Sequence, residues 1–391
     1  MFAIPHLIRK PFGRALAGIA ILWLAACEPV QMVQTGGGGA PPARDEVPVA
    51  LLVPHGTSNE QEQQLARDLE NAARMAVADL SGVDIDLRVY GTAGDTSQAR
   101  EAAINAADDG ARIIIGPLHA ESANAVGVAM ASRDINVLTF SNNSTIAGGN
   151  LFVLGQTFEN TADRLAGYAV GQGTSRIVAV HSDNLAGRLG RAAIETGLRN
   201  NGGTLAGSVA YDFSQEGVLD AVPDIRDMVE IESADAIFLT ANAAGALPLF
   251  SQMLPENGLG SDRLQYIGLS RWDTPPQTLQ LSGVQGGWFA MPDPNRSARF
   301  ESRFRSANGN TPHPLAGLAY DGIAAVGALV QAGQGLGRGD LTQSAGFKGV
   351  NGVFRLRLDG TNERSLAVAT ITDEQVEILS PAPQSFGGAG F

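Results

Sequence analysis

The sequence predicts an α/β fold of two lobes, each built around a parallel sheet, with a central cleft between them. The first observation is that residues 112–145 form a strand, a helix and a second strand in succession. Residues 113–115 are three isoleucines bounded by Gly116-Pro117, as expected for a short strand buried on both faces. The second observation is that the same alternation starts again at Arg176. A right-handed crossover within each unit would place its strands in one parallel sheet.

The first lobe is predicted to hold four strands separated by helices. A capping box that starts at Thr57 or at Ser58 opens the first helix, which runs to about Leu80 on the helical spacing of its leucines and alanines. The predicted strands are 49–53, 84–90, 113–115 and 135–140, and the other predicted helices are 97–109 and 120–133. Residues 152–154 are predicted to be part of a crossing to the second lobe.

The second lobe is predicted on the same plan, entered through a helix at 159–170. Its predicted strands are 177–180, 204–210, 236–240 and 265–269, and its helices are 187–200, 217–230 and 244–254. Later helices are predicted at 297–307 and 317–332, and closing strands at 353–358, 366–371 and 376–379.

The helix at 317–332 is predicted to return to the first lobe. We therefore assign residues 47–156 and about 313–345 to the first lobe, and 157–312 and about 346–380 to the second. Residues 381–391 are rich in glycine and proline and are predicted to be a disordered tail.

The amino terminus is predicted to be a lipoprotein signal peptide covering residues 1–26. It has a basic region with Arg9 and Lys10, followed by an apolar run of about a dozen residues, shorter than the ~20 that span a bilayer. The run ends in Leu24-Ala25-Ala26-Cys27, which resembles a bacterial lipobox and implies lipidation of Cys27. A plain secretory signal with an incidental cysteine is the alternative.

Cys27 is the only cysteine, so an intrachain disulfide and a thiolate zinc cage are both excluded. Residues 27–46 contain a run of four glycines followed closely by Pro41 and Pro42, and are predicted to be a flexible tether. By the usual sorting rule, Glu28 does not match the aspartate retention signal. The resemblance therefore favours a lipid anchor on the periplasmic side of the outer membrane rather than the inner one, with no other membrane contact.

Composition and motifs exclude several classes of function. A net charge of −13 argues against a nucleic-acid partner, which would require a basic face. The sequence contains no GxSxG, GxxxxGK[ST] or HExxH motif, and the run 268–272 lacks the last glycine of a nucleophile elbow. We therefore predict a protein that is not an enzyme and carries neither a cofactor nor a metal.

Several segments in matching order resemble one known family between residues 47 and 372. They are VALLVPHG, RIIIGPLHAES, INVLTFSNNSTIAGGNLFVLG, HSDNLAGRLGRAAIETGLRNNGG, LSRWDTP, GGWFAMPDP, LAYDGIAAV and GVNGVFRLRLDGTNERSLAV. The chain resembles the leucine-binding-protein-like family of type I periplasmic binding proteins, whose fold has two Rossmann-like lobes. More closely, it resembles the bacterial branch labelled penicillin-binding protein activators.

Ligands of open α/β sheets bind beyond the carboxyl ends of the strands, so we expect the site in those loops. His55 and His119 each follow a strand of the first lobe; they are candidates for the cleft, or solvated loop histidines. The resemblance implies that the loops 118–122 and 141–145 hold a ligand carboxylate. Ordinary helix capping is the alternative. The candidates in these loops are Ser122, Ser141, Asn142, Asn143 and Ser144.

The second lobe contributes further candidates. The loop 183–187 matches a family loop that usually carries Tyr-Gly, but Ala186 stands where that tyrosine is common, which weakens tight capture of a small ligand. Trp272 is predicted to be either a stacking wall of the cleft or a packing residue. Asp212, Asp273 or Asp321 could pair with an ammonium, although each carboxylate also suits capping or surface roles, and Asp321 a structural one at the hinge. Asp183 and Arg271 are further candidates in loops of the second lobe.

Two functions follow from these observations. The first is a non-catalytic regulatory lipoprotein that contacts a penicillin-binding protein and so regulates peptidoglycan synthesis. Family members of that branch carry a large helical domain ahead of this fold, whereas only a tether precedes residue 47 here. The second is the substrate-binding protein of an ABC importer, which would deliver an amino acid or a similar small polar solute to a permease by lobe closure.

Overall fold

The computed structural model describes residues 46–386, and within them strands and helices alternate as expected. The first eight elements are β1 (Val47–Val53), α1 (Glu60–Asp79), β2 (Ile85–Gly91), α2 (Thr96–Asp108), β3 (Ile113–Ile115), α3 (Ala120–Ala131), β4 (Asn136–Thr139) and β5 (Leu151–Val153). These strands form one parallel sheet in the order β2-β1-β3-β4-β5.

The next elements build the second sheet. They are α4 (Phe158–Gly171), β6 (Arg176–Ser182), α5 (Leu185–Asn200), β7 (Thr204–Tyr211), α6 (Gln215–Ile231), β8 (Ala236–Leu239), α7 (Leu247–Glu256), β9 (Gln265–Gly268) and β10 (Trp288–Met291). The strands pair in parallel in the order β7-β6-β8-β9-β10, which repeats the strand order of the first sheet.

The remaining chain returns to the first lobe and then closes the second sheet. Its elements are α8 (Pro294–Asn308), α9 (Ala316–Gln331), α10 (Arg338–Leu341), β11 (Phe347–Lys348), β12 (Val353–Leu356), β13 (Asn362–Arg364), β14 (Ala367–Thr372) and β15 (Gln375–Ser380). Strands β14 and β15 extend the second sheet in antiparallel pairing, and β11, β12 and β13 form a small antiparallel sheet.

The predicted fold class is confirmed, and most element bounds lie within a few residues of the prediction. The cap of α1 is a correction, because Asn59 rather than Thr57 or Ser58 accepts hydrogen bonds from the first-turn N–H groups. Strand β10 was not predicted, since its four apolar residues between Gly287 and Pro292 give too short a pattern. The two- and three-residue strands β11 and β13 were missed for the same reason. The three-residue strand β5 was predicted only as part of a crossing between the lobes.

Each sheet is covered by apolar side chains on both faces. In the first lobe, α1, α8 and α9 cover one face, while α2 and α3 cover the other. In the second lobe, α6 and α7 lie on one face, and α4 and α5 on the other. Strands with both faces buried have no polar side, which explains the continuous apolar runs in the sequence.

The predicted lobe boundaries need two corrections. The segment from about 346 was assigned to the second lobe, but Phe347 of β11 and Phe354 of β12 are buried in the first-lobe core. Helix α8 was assigned to the second lobe, but its Phe300 and Phe304 are buried in the first-lobe core with Leu69 of α1. The chain therefore crosses between the lobes three times, after β5, after β10 and after β13. Apolar residues at helical spacing on α8 predict a buried face, but they do not say which lobe covers it.

Residues 381–386, predicted to be disordered, are packed on the domain. The ring of Phe386 is buried and lies 4.8 Å below the Arg355 guanidinium carbon, and the Gln384 amide donates to Asp293 Oδ2 at 3.0 Å. Composition alone does not predict contacts made by single side chains, such as those of Phe386 and Gln384. Residues 387–391 lie outside the described residues, as do the predicted signal peptide, Cys27 and the tether up to residue 45.

Between residues 46 and 386, none of the helices has the length and apolar character that a membrane crossing requires.

Candidate functional site

The loops after β1, β2, β3 and β4 meet at one edge of the first sheet. The backbone N–H groups of Thr92 and Ala93, after β2, donate to the carbonyls of Val53 and His55, after β1, at 2.9 Å each. At the end of β3, Gly116 has φ +94°, and a side chain there would collide with the carbonyl of Leu52. Glycine is therefore required where β3 approaches β1 so closely.

His55 and His119 lie at this edge, and each faces a carboxylate of α1. His55 Nε2 is 2.8 Å from Glu70 Oε2, and His119 Nε2 is 3.4 Å from Glu62 Oε1. Burial raises the pKa of Glu70, but hydrogen bonds from Arg74 and His55 outweigh burial and hold that pKa below its ordinary value. The two histidines are therefore paired side chains rather than free loop residues.

The pairing of these histidines uses residues that the sequence analysis did not single out. Glu62 and Glu70 are eight residues apart on α1, about two helical turns, so they lie on the same side of the helix. That spacing was the sequence feature that could have indicated that Glu62 and Glu70 lie on the same side of α1. Among residues 46–386, no group of three or more histidine, cysteine or acidic side chains could hold a metal ion.

Most polar side chains of the loop after β4 form hydrogen bonds within the loop itself. Ser141 Oγ accepts from the Asn143 N–H at 3.1 Å, and Asn143 Oδ1 accepts from the N–H and the hydroxyl of Thr145 at 3.0 and 2.8 Å. Ser144 donates to Glu159 of α4 at 2.7 Å. Asn142 is exposed, and its side chain makes no hydrogen bond with any other residue in the range 46–386. Capping thus explains the position of Asn143, whereas no contact within the described residues explains that of Asn142.

Ser122, on the first turn of α3, is the unexplained polar group of this edge. It is 2% exposed, and its Oγ has no hydrogen-bond partner among the described residues. A buried hydroxyl without a partner is unusual, because nearly all buried polar atoms in proteins are hydrogen-bonded.

We expect Ser122→Ala to leave Tm unchanged or slightly higher, because the unpartnered hydroxyl carries a desolvation cost of about 1–3 kcal/mol that alanine lacks. The matched control is Ser141→Ala, which removes the acceptor of the Asn143 N–H and is expected to cost about 0.5–1.5 kcal/mol. Thermal unfolding followed by circular dichroism compares the two. A Ser122→Ala variant less stable than Ser141→Ala would contradict the assignment of Ser122 as unpartnered.

The second-lobe loops place their charges in local pairs. Asp183 accepts from Arg188 at 2.8 Å, and Arg271 Nε donates to Asp273 Oδ1 at 2.9 Å. Asp212 is exposed and enters no ion pair within the part of the chain that the structure describes. Of the charged candidates in these loops, Asp212 therefore keeps its charge available to a partner.

Trp272 is not a wall of the cleft. Its side chain is completely buried in the second-lobe core, where the indole stacks on Phe289 with ring centroids 6.4 Å apart. A methyl group on Gly268 or on Gly287 would overlap the indole. Polar neighbours in sequence suggested a surface position, but the loop after β9 turns this one side chain inward. The packing interpretation is therefore the correct one.

Asp321 is not available to a ligand either. It is completely buried on α9, accepts from the Val350 N–H at 2.7 Å and pairs with Arg364 Nη1 at 3.1 Å. Arg364 also donates from Nε to the Leu154 carbonyl at 2.7 Å. The pair therefore joins α9 to two of the three crossings between the lobes, which agrees with the structural role expected first for Asp321.

The two edges do not touch through polar contacts. No hydrogen bond or ion pair among residues 46–386 joins the loops 118–122 and 141–143 to the loops 183–186, 212–214 and 270–274. A pocket of about 480 Å³ lies between α4, α5 and β13, and Ser144 of the loop after β4 lines it. Apart from the hydrogen bond from Ser144 to Glu159 of α4, the loop after β4 makes no polar contact with these second-lobe loops, within the described part of the chain, that a change in lobe separation would break.

Comparison with known proteins fits this architecture. A sequence profile described as periplasmic binding protein matches residues 46–375. The chain belongs to the periplasmic binding protein family. A search of curated proteins found no match.

Solved structures of other periplasmic binding proteins share the fold at low sequence identity. A putative branched-chain amino acid ABC transporter protein from Rhodospirillum rubrum is 18% identical, with a TM-score of 0.73 over 85% of this chain and all of the other. A branched-chain amino acid ABC transporter periplasmic ligand-binding protein from Burkholderia xenovorans is 18% identical, with a TM-score of 0.69 over 88% and 97%. An ABC transporter substrate-binding protein from Desulfitobacterium hafniense in complex with Leu is 19% identical, with a TM-score of 0.63 over 86% and 100%. Identities this low support the fold alone.

Proposed function

We propose that this periplasmic binding protein is a non-catalytic, lipid-anchored regulator that contacts a penicillin-binding protein, and so acts on peptidoglycan synthesis from the periplasmic face of the outer membrane. The anchor in this proposal is Cys27, at the end of the lipobox-like sequence. Two acyl signals or more on one residue hold a protein firmly to a membrane face.

One observation carries the proposal: the second-lobe edge offers few free side chains to close on a small ligand. Asp183 is paired with Arg188 of α5, Arg271 is paired with Asp273, and Trp272 is in the core. Position 186, where the resemblance implies a closing tyrosine, is an exposed alanine. A lobe that closes on an amino acid needs an affinity difference between the open and closed states, and these residues supply little of it.

The alternative is a substrate-binding protein of an ABC importer for an amino acid or a similar solute. It is favoured by the buried, unpartnered hydroxyl of Ser122 at the first-lobe edge and by neighbours described as ABC transporter proteins. A ligand carboxylate at the start of α3 would also be favoured by the helix dipole.

Two measurements on the full-length lipoprotein in detergent separate these functions. The first is thermal unfolding in the presence of each common amino acid. A ligand at about 100 times its Kd stabilises the folded state by about 2.7 kcal/mol, which is visible as a rise in Tm. The second is binding to purified periplasmic domains of penicillin-binding proteins by biolayer interferometry.

We expect a flat amino-acid screen together with saturable binding to at least one penicillin-binding protein. The reverse pattern, with a clear rise in Tm for one amino acid and no penicillin-binding protein bound, would replace the regulator with the importer component.

A further inference from the structure

The second lobe carries an apolar groove whose lining includes none of the candidate ligand residues. It lies between the starts of α6 and α7, beyond the carboxyl ends of β7 and β8, and has a volume of about 490 Å³. Its apolar walls come from Phe213, Val218, Ala246, Pro248 and Leu249, and none of the residues lining it is charged. We call it the α6–α7 groove.

Phe213 stands at the mouth of the α6–α7 groove with 67% of its surface exposed. A Cβ atom on Gly245 would come within 3.2 Å of the Phe213 ring, so the ring rests against this glycine on one side. Leu185, which follows the neighbouring strand β6, is 65% exposed at the same edge of the sheet. Exposed aromatic and aliphatic side chains next to a groove are typical of protein interaction sites.

The surroundings of the groove are strongly acidic. Between residues 201 and 262 the chain has ten aspartates and glutamates but one basic residue, Arg226. Asp212, Glu216 and Asp220 lie on the loop before α6 and on its first turns, are exposed, and enter no ion pair among the described residues. This segment therefore accounts for much of the net charge of −13.

The N-termini of α6 and α7 carry partial positive charge, which offsets part of this negative charge. Each helix N-terminus is equivalent to roughly +0.5 charge, so two of them offset about one carboxylate. With three unpaired carboxylates on the segment 212–220, which also supplies lining residues of the groove, the negative charge prevails. A cationic partner is favoured over an anionic one, because complementary charge steers association and selects the partner.

We propose that the α6–α7 groove is a docking site for a basic segment of a partner protein, which inserts an apolar side chain against Phe213 and places lysine or arginine beside Asp212 and Glu216. This inference rests on the proposed regulatory function and names the surface that would carry it. A second copy of the chain is a poorer occupant, because two faces this acidic repel each other.

The test uses the full-length lipoprotein in detergent and a short fluorescent peptide that alternates lysine or arginine with leucine or phenylalanine. A matched peptide carries glutamate at each basic position. Fluorescence anisotropy is measured for wild type, for Phe213→Ala and for the double variant Asp212→Asn with Glu216→Gln. Ile231→Ala is the apolar control, because Ile231 is 78% exposed at the far end of α6. Glu101→Gln on α2 is the charge control.

We expect the basic peptide to bind wild type and both controls equally, and to bind Phe213→Ala about tenfold more weakly, as for an aromatic anchor residue. The double variant is expected to bind more weakly and with a smaller dependence on salt. Equal binding of the glutamate peptide, or undiminished binding by Phe213→Ala, would overturn the proposal. If sedimentation without peptide shows a dimer that requires Phe213, the groove would instead be assigned to a second copy of the chain.

The same variants separate this proposal from the proposed function. If a penicillin-binding protein binds wild type and Phe213→Ala equally, the regulatory function stands and the groove is not its docking site. If no penicillin-binding protein binds but the basic peptide still requires Phe213, the groove stands and the partner belongs to another class.

Discussion

Replacing Arg364 with alanine is expected to destabilise the domain by about 3–5 kcal/mol, since it leaves the buried carboxylate of Asp321 without its counter-ion. The side chains of the pair are 4% and 0% exposed. The variant also loses the hydrogen bond to the Leu154 carbonyl and the contact of the guanidinium with the Phe354 ring, whose centroid is 4.9 Å away. Chemical unfolding with urea measures the loss.

Arg357→Ala is the matched control. Arg357 is on the same hairpin and pairs with Glu363, but its side chain is 53% exposed, and Glu363 keeps a second partner in Arg355. Exposed pairs contribute about 0–1 kcal/mol, so this variant should unfold close to wild type. A double variant that replaces Arg364 and Asp321 with apolar residues should be more stable than Arg364→Ala, because no buried charge remains. Equal losses for Arg364→Ala and Arg357→Ala would contradict the assigned role of the pair.

The cost of losing Arg364 is also expected to depend on pH. Complete burial raises the pKa of Asp321, and the Arg364 charge together with the Val350 N–H brings it only part of the way back. A raised pKa means that the folded state binds the proton more readily than the unfolded chain, so ionised Asp321 opposes folding above that pKa. Without Arg364 the pKa rises further. The difference in stability between wild type and variant should therefore be smallest in acid, where Asp321 is protonated in both proteins, and should grow as the pH rises through the raised pKa of Asp321.

Trp272→Ala is expected to cost about 3–5 kcal/mol, the range for truncating a large buried aromatic side chain. The indole is completely buried between Phe289 and the two glycines that make room for it. Trp272→Phe is the control: it keeps an aromatic ring in contact with Phe289 and removes the indole N–H, which has no partner among residues 46–386. It should lose clearly less stability than the alanine variant.

A binding measurement distinguishes a packing role of Trp272 from direct contact with a ligand. Partner binding measured well below the melting temperature should be unchanged in Trp272→Phe, because the ring does not reach the cleft. A Trp272→Ala variant that unfolds like wild type yet loses ligand or partner binding would show that the residue lines the cleft after all.

Much of the candidate site was predictable because it depends on strand ends. The strands β3 and β4 are short apolar runs that end in polar loops, and loops at the carboxyl ends of parallel strands share one edge of the sheet. Sequence order is therefore enough to place His55, His119 and Ser141 at one edge of the sheet. It did not give their partners, since Glu62 and Glu70 come to the edge through the packing of α1 on the sheet.

The sequence pattern did not predict whether a single aromatic side chain in a loop points into the core or into solvent. Trp272 lies among polar residues in sequence, yet its ring points into the core, while Phe213 lies in a similar polar loop and is exposed. Both loops follow strands of the second sheet, and nothing in the local pattern distinguishes them. The difference comes from Gly268 and Gly287, which leave a space beneath one aromatic ring, and from Gly245, which only supports the other.

The sequence by itself determined the α/β fold of two lobes, because hydrophobic periodicity is a local property that selects strands and helices and their buried faces. Tertiary structure alone decided which lobe α8 joins, that Asp321 pairs with Arg364 across 43 residues of chain, and that the acidic face of α6 adjoins an apolar groove. These features arise from contacts between segments far apart in sequence. Their energies depend on burial and on distance between side chains, which a linear pattern does not contain.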